Sequence, residues 1–163
     1  MEFLLSSKPR CVLFLAIGGG GDVATTAMLA LAARRLGLKS FVASFAWERF
    51  VVDPVPGPIH LDEIIGAKPL GSYSVLVDGG CYAVRCGRKV VFQAANASKA
   101  LGEGVAVVDL YRGVRGVVKG IEEVMEHYGC DKLVAVDVGG DSLSNHRYPP
   151  QYIVLRKLTI CAR

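Results

Sequence analysis

The chain lacks the composition of a disordered, nucleic-acid-binding or membrane-spanning protein. Only 21% of its 163 residues are charged and 52% are hydrophobic, so a folded globular chain is expected. The net charge of +4 comes from scattered basic residues, which argues against nucleic acid as a partner. No apolar run reaches the ~18 residues of a membrane span, and the first apolar run has no signal-peptide cleavage context. We therefore expect a soluble, cytoplasmic protein with no membrane partner.

Side-chain amides are also scarce, with two Asn and two Gln in the chain. Scarcity of these thermolabile residues is typical of hyperthermophile proteins, whose interiors can hold disulfides. The five cysteines include no C-x-x-C pair and no neighbouring histidine cluster, which argues against a zinc site. Cys81 and Cys86 flank a predicted turn and are the best candidates for a disulfide, with free thiols as the alternative.

What the chain does have is a distinctive unit at residues 11–36. The apolar run CVLFLAI leads into four glycines and an aspartate, and VATTAMLALAARRL follows. An uninterrupted apolar run predicts a strand buried on both faces, and the Ala/Leu-rich stretch predicts a helix. Because this helix is apolar nearly all round, we expect it to be covered on two sides, the second by another subunit. The sequence therefore predicts a homo-oligomer.

Strands and helices alternate along most of the remaining chain. We predict strands at 39–46, 73–78, 105–110 and 132–138, helices at 61–67, 94–101 and 113–128, a hairpin within 82–93, and a stiff proline-rich loop at 47–60. This alternation predicts a Rossmann-like three-layer α/β sandwich with a mainly parallel sheet. The domain is expected to span residues 1–147, and residues 148–163 to form a C-terminal arm or an extra strand.

The glycine-rich turn is the first candidate site. Its pattern, Gly19-x-Gly21-x-x-Ala24, satisfies a relaxed dinucleotide fingerprint between a strand and a helix. The backbone amides at the start of the helix would favour a phosphate there. The candidate ligand-binding residues of this turn are Gly19, Gly20, Gly21, Asp22, Thr25 and Thr26. Asp22 would repel a bare phosphate unless a cation lay between them. The alternative is that Asp22 is an N-cap and the glycines only form a tight turn.

Aspartates recur at the carboxyl ends of the predicted strands, at positions 22, 78, 109, 137 and 141. In a parallel sheet these ends share one edge, so several carboxylates could converge and recruit a cation such as Mg²⁺. The candidate metal ligands are Asp22, Asp137 and Asp141. Gly139, Gly140 and Asp141 repeat the pattern of the first turn and are added to the ligand-binding set. The alternative is that these aspartates only bond to the local backbone.

Trp47, Glu48 and Arg49 follow the second predicted strand. A Rossmann protein places its ribose-binding acid there, so Glu48 is the candidate for that role, with Arg49 holding an anion and Trp47 stacking on a ring. The alternative is that Trp47 lies buried beneath the proline-rich loop while Glu48 and Arg49 are solvated. The three histidines are widely separated, so no nucleophilic catalytic arrangement is indicated. No nicotinamide or flavin is firmly implied.

Four stretches carry a resemblance to a known family: LAIGGGGDVATTAMLALAARRLG, FAWERFVVDPVPGPIHLDEI, VVFQAA and VAVDVGGDSL. Together they resemble an archaeal family catalogued as domain of unknown function 1152, over residues 12–143. The resemblance implies an archaeal, cytosolic α/β protein and no established activity. Similar chains run longer, so it also implies a chain truncated or frameshifted after about Leu143. If the two halves of such a longer chain share a binding site, the part of that site from the second half would be missing here or supplied by another subunit.

Two hypotheses of function follow. The first is a domain that binds a small anionic or nucleotide-type ligand at the glycine-rich turn, with Mg²⁺ as a candidate cofactor. The second is a catalytically silent oligomeric assembly domain, a remnant of a longer protein. The sequence does not decide whether the protein is an enzyme.

Overall fold

A computed structural model describes residues 9–138 of the chain. The helices are α1 (Gly21–Arg35), α2 (Gln93–Leu101) and α3 (Gly113–Tyr128), and one turn of 3-10 helix spans Leu61–Glu63. The strands are β1 (Val12–Ala16), β2 (Ser40–Ser44), β3 (Ile64–Ile65), β4 (Lys68–Pro69), β5 (Ser74–Val77), β6 (Tyr82–Arg85), β7 (Arg88–Val90), β8 (Val105–Val108) and β9 (Lys132–Val136). Residues 139–141 and the predicted C-terminal arm lie outside the described part.

The main sheet has six strands in the order β4-β5-β8-β2-β1-β9. Strands β8, β2, β1 and β9 run parallel, while β5 is antiparallel to β8 and β4 is antiparallel to β5. The predicted mixed α/β fold with a mainly parallel sheet is confirmed at this level. The reversed direction of β5 corrects one expectation, because Asp78 follows β5 and so lies at the opposite edge from Asp22 and Asp137.

The central strands are apolar on both faces because the sheet is packed on both faces. Along β1, Val12, Phe14 and Ala16 join one core cluster, which includes inward residues of α1 and α2. The alternate residues Leu13 and Leu15 join a second cluster, which includes inward residues of α3. This alternation follows from the two-residue period of a strand, and it explains why β1 has no polar residue.

The order of the strands creates a crevice beside β1. The chain leaves β1 through α1 and returns as β2 on one side, while β9 pairs with β1 on the other side. Ligands of open α/β sheets bind at such a switch point, outside the carboxyl ends of the strands. The glycine-rich turn lies at this position, because it directly follows β1 and leads into α1.

A second, antiparallel sheet is formed by β3, β6 and β7. Strands β6 and β7 confirm the predicted hairpin. The helix predicted at 61–67 is wrong beyond its first turn, because Ile64 and Ile65 leave the 3-10 helix and pair with Ala83 and Tyr82 of β6. The β-branched isoleucines favour this extended pairing over a helix.

The expected Cys81–Cys86 disulfide is wrong, since both residues are free thiols. Cys81 is buried and Cys86 is exposed in the turn between β6 and β7, so the hairpin holds them in different environments. The disulfide instead joins Cys11 to Cys130, which are 119 positions apart. These two residues lie just before the adjacent strands β1 and β9, whose pairing places Val12 opposite Lys132.

The outer face of α1 is exposed. Val23, Thr26, Ala30 and Ala33 are buried against the sheet side, whereas Met28 is 62% exposed. None of the three helices in residues 9–138 combines the length and apolar character needed to cross a bilayer.

Candidate functional site

One cavity at the carboxyl edge of the parallel strands brings most of the predicted site residues together. It has a volume of about 530 Å³ and is lined by Ile17, Gly18, Gly19, Gly20, Asp22, Trp47, Glu48, Arg49, Phe50 and Asp137. We call it the glycine-turn cavity. It combines the turn after β1, the loop after β2 and the residue after β9, which are far apart in the sequence. Gly21, Thr25 and Thr26 are outside its lining, and Gly139, Gly140 and Asp141 are outside the described residues.

One of the four glycines, Gly19, is required by close packing against backbone. A Cβ on Gly18 would overlap Oδ2 of Asp22, and a Cβ on Gly19 would overlap the backbone carbonyl of Trp47. By contrast, a Cβ on Gly20 or Gly21 would meet no atom of residues 9–138 within 4 Å. Gly19 therefore lets the turn approach the loop after β2, Gly18 leaves room for the carboxylate of Asp22, and the last two glycines leave the start of α1 open.

Asp22 does not cap α1. The helix begins at Gly21 with Gly20 as its N-cap residue, and within the described residues no side chain forms a capping hydrogen bond there. The Oδ1 atom of Asp22 instead accepts a hydrogen bond of 3.0 Å from the amide of Val138, just beyond β9. The N-cap interpretation is therefore wrong. Asp22 links the start of α1 to the end of β9 across the crevice.

The two threonines of the first helical turn do not face the cavity. Thr26 is fully buried, and its hydroxyl donates a 2.6 Å hydrogen bond to the carbonyl of Asp22. Thr25 is half-buried beside it. Sequence reasoning placed both hydroxyls toward a ligand because they share the first turn, but the helical rotation directs Thr26 inward.

Glu48 is the most unusual residue of the cavity. It is only 6% exposed, and neither carboxylate oxygen has a hydrogen-bond partner among residues 9–138. Burial raises the pKa of Glu48. The backbone amides of Gln93 and Arg49 lie close enough to lower that pKa in part, although neither has the geometry of a hydrogen bond. Buried carboxylates are normally paired or hydrogen-bonded, so an unpaired one beside a cavity is a candidate binding group.

The alternative interpretation of this segment is wrong for two of its three residues. Trp47 is 43% exposed rather than buried beneath the proline-rich loop, and Glu48 is buried rather than solvated. Arg49 is exposed, as that alternative expected. All three residues line the glycine-turn cavity, which is the arrangement that the ligand-binding hypothesis required.

A buried ion cluster holds the proline-rich loop in place. Arg85 of β6 lies 3.0 Å from Oδ2 of Asp53 and 2.6 Å from Oε2 of Glu63, and its side chain is 2% exposed. The guanidinium also donates to the carbonyls of Pro58 and Val55. Sequence reasoning missed this cluster. Its one signal is strand alternation, which places Arg85 on the same buried face as Ala83.

The far end of the loop has a second anchor. The hydroxyl of Tyr111 donates a 2.7 Å hydrogen bond to the carbonyl of Pro58, and the ring of His60 stacks on that of Tyr111. The amide of Ile59 closes the base of the loop by donating to the carbonyl of Ala46. The loop is therefore fixed at both ends, which keeps residues 47–50 beside the glycine turn.

The charges of the cavity are mainly acidic. Asp22, Glu48 and Asp137 contribute carboxylates, and Arg49 contributes a cation. Across residues 9–138, no three His, Cys, Asp or Glu side chains are grouped as a metal site. Asp109, also expected at this edge, lines a neighbouring cavity with His60 and binds the amide of Tyr111.

Comparison with known proteins gives a family but no activity. The model of a family described as "Protein of unknown function (DUF1152)" matches residues 13–147, which include the glycine-rich turn and the proline-rich loop. No curated protein and no solved structure matches the chain.

Proposed function

This chain belongs to the DUF1152 family, and from that premise we propose that it binds a small anionic or nucleotide-type ligand in the glycine-turn cavity. The observation that carries the proposal is the buried carboxylate of Glu48, which has no hydrogen-bond partner in the described part of the chain and lines the same cavity as the glycine-rich turn. An unsatisfied buried polar group costs about 1–3 kcal/mol, so a ligand that bonds to it would recover that free energy.

The start of α1 supplies the anion-binding part of the proposal. Its first amides have no side-chain cap, and Gly20 leaves the backbone open to a ligand. Backbone amides and the helix dipole favour negative charge at such an end. The guanidinium of Arg49 at the exposed rim would add a charge-assisted contact.

The carboxylates of the cavity favour a cation between the protein and the anion. Mg²⁺ is usually bound by one or two carboxylates together with phosphate oxygens and water. Asp22 and Asp137 would hold it, because they line the cavity at the start of α1 and just after β9. We include Gly139, Gly140 and Asp141 in the same proposal. Bound there, Mg²⁺ would neutralise phosphate charge.

We propose further that the fold is a Rossmann-like three-layer sandwich. The two core clusters on opposite faces of the sheet support this, as does the crevice between β1 and β9. Strands β5 and β4 depart from the parallel arrangement of a Rossmann-like sheet. They lie on the side of the sheet opposite to β9, away from the cavity.

A thermal-shift titration tests the binding proposal, because a ligand that binds the native state raises its stability by mass action. We expect a nucleotide with Mg²⁺ to raise the melting temperature, and Asp22→Asn to reduce the magnesium-dependent part of that rise. Asp62→Asn is the matched control, since Asp62 is an exposed acid outside this cavity. No shift with any nucleotide or phosphate would reject the proposal.

The second candidate function, a silent assembly domain, is favoured by one observation. Met28 and Leu31 on α1 are 62% and 44% exposed, and they line an apolar groove of about 280 Å³ between α1 and α2. Sedimentation of the wild type and of Met28→Lys tests it. A monomer for both chains would reject assembly through this face.

A further inference from the structure

We infer that the ligand of the glycine-turn cavity is a nucleoside phosphate, bound with its ring against Phe50 and Trp47 and a hydrogen-bond donor on Glu48. This inference rests on the proposed function and names the chemical class of the ligand. It depends on three properties of the cavity: the unpaired acid, the exposed aromatic side chains and the volume.

The buried Glu48 determines which chemical group the ligand must place beside it. A carboxylate accepts hydrogen bonds and repels other anions, so inorganic phosphate would not satisfy it. A hydroxyl or an amino group would donate to its free oxygens and remove the cost of burying them unpaired. The sugar and the base of a nucleoside carry both kinds of donor, and the phosphate would remain at the start of α1.

The aromatic side chains define the shape of the ligand. Phe50 is 72% exposed and Trp47 is 43% exposed, and both line the cavity. Their position is fixed, because Trp47 packs on Gly19 and the loop is held through Asp53. A planar ring stacked on these side chains would cover apolar surface that faces water, whereas a sugar phosphate or a polyphosphate would leave it exposed.

The volume agrees with a ligand of this size. Small-molecule sites commonly enclose about 300–1,000 Å³, and a single phosphate fills only a fraction of such a space. The cavity of about 530 Å³ is lined by the glycine turn, Glu48 and Phe50, so it has room for a ring in addition to the phosphate.

Calorimetric titration of the full chain with three kinds of probe tests the inference. The probes are the four common ribonucleoside 5′-monophosphates, ribose 5-phosphate and inorganic phosphate, each with Mg²⁺. We expect at least one nucleotide to bind about tenfold more tightly than ribose 5-phosphate, because base stacking on aromatic side chains commonly contributes this much.

Phe50→Ala should remove that advantage and leave the affinity for ribose 5-phosphate unchanged. Val51→Ala is the matched control, since Val51 is 78% exposed next to Phe50 but does not line the cavity.

A second pair of variants tests Glu48. Glu48→Gln keeps one acceptor oxygen and should weaken nucleotide binding only slightly, whereas Glu48→Met removes both and should weaken it about tenfold. Equal affinity for nucleotides and ribose 5-phosphate would overturn this inference and leave the proposed function standing. Nucleotide affinity that is unchanged in Glu48→Met would overturn the role of the acid. Failure of every one of these probes to bind would reject the proposed function itself.

Discussion

The parallel strands begin at one edge of the sheet, the amino edge, and end at the other, the carboxyl edge. The two edges differ in how their polar groups are paired. At the amino edge, Cys11 and Cys130 are joined covalently, and Asp131 accepts hydrogen bonds from the amides of Arg10 and Cys11. At the carboxyl edge, Glu48 is buried, and no described residue is a hydrogen-bond partner for either of its oxygens. The polar groups named at the amino edge are therefore paired with one another. At the carboxyl edge, the carboxylate of Glu48 is an acceptor that no described residue bonds to.

The acids at the two edges respond oppositely to their surroundings. Burial alone would raise the pKa of Asp131, but the hydrogen bonds from the amides of Cys11 and Arg10 outweigh it and lower that pKa. Burial raises the pKa of Glu48, and its neighbours compensate only in part. Asp131 therefore stabilises the fold when it is ionised, whereas Glu48 stabilises it only when it is protonated. The second kind is typical of functional sites.

The largest effect is expected at the ion cluster that supports the carboxyl edge. Arg85→Met should lower the free energy of unfolding by about 4 kcal/mol, because it leaves Asp53 buried without its cation. Chemical denaturation measures this. Arg112→Met is the control, since Arg112 is 67% exposed in its pair with Asp109 and should cost less than about 1 kcal/mol. Equal losses in the two variants would contradict the account of the loop.

The covalent link of the amino edge should have the next largest effect. Replacing Cys11 and Cys130 by serine should lower the free energy of unfolding by about 2–4 kcal/mol, the usual range for a disulfide, because the loop it closes is freed in the unfolded chain. Ligand affinity should not change, since the disulfide is at the opposite edge from the cavity. Peptide mapping without reductant should recover Cys11 linked to Cys130, and recovery of a Cys81–Cys86 peptide would contradict the structure.

The glycine turn offers a matched pair of substitutions. Gly19→Ala should destabilise the fold by about 2 kcal/mol, because the new methyl group overlaps the carbonyl of Trp47. Gly21→Ala should be neutral or stabilise by up to about 1 kcal/mol, because its Cβ meets open space within a helix. Thermal melts of both variants measure the contrast. A Gly19→Ala protein as stable as the wild type would show that the turn and the loop are not in contact.

Glu48→Gln should have the smallest effect on stability and the clearest dependence on pH. The folded-state pKa of Glu48 is raised above its ordinary value of 4.5, so its contribution to stability is full below that value and is lost as the pH rises through the folded-state pKa. The variant should therefore be about 1 kcal/mol more stable than the wild type at neutral pH, and the difference should shrink toward pH 4.5. Denaturation curves across this range measure it. A constant difference would mean that Glu48 does not titrate abnormally.

The unit of strand, glycine turn and helix was predictable because its signals are local. An unbroken apolar run and the glycines that follow it determine β1 and the start of α1. The convergence of Asp22, Glu48 and Asp137 on one edge also followed from the parallel direction of β1, β2 and β9. These predictions needed the periodicity of the sequence and one rule of topology.

The features that sequence reasoning missed depend on contacts between distant segments. The partner of Cys11 is decided by the pairing of β1 with β9, and the partner of Asp53 by the hairpin that carries Arg85. The position of Asp78 depended on the direction of β5, which the apolar pattern does not encode. The burial of Glu48 without a partner was also not predictable, because it breaks the rule that buried charges are compensated.

The most direct test of a shared binding cavity uses Trp47, the single tryptophan of the chain. Its exposed side chain lines the cavity, so its fluorescence should report a ligand bound there. We predict a saturable change in emission on titration with a nucleotide and Mg²⁺, with the midpoint moved to higher concentration in Asp22→Asn and unmoved in Asp62→Asn. An emission spectrum that no nucleotide or phosphate alters would contradict the claim that the glycine turn and the loop after β2 form one site.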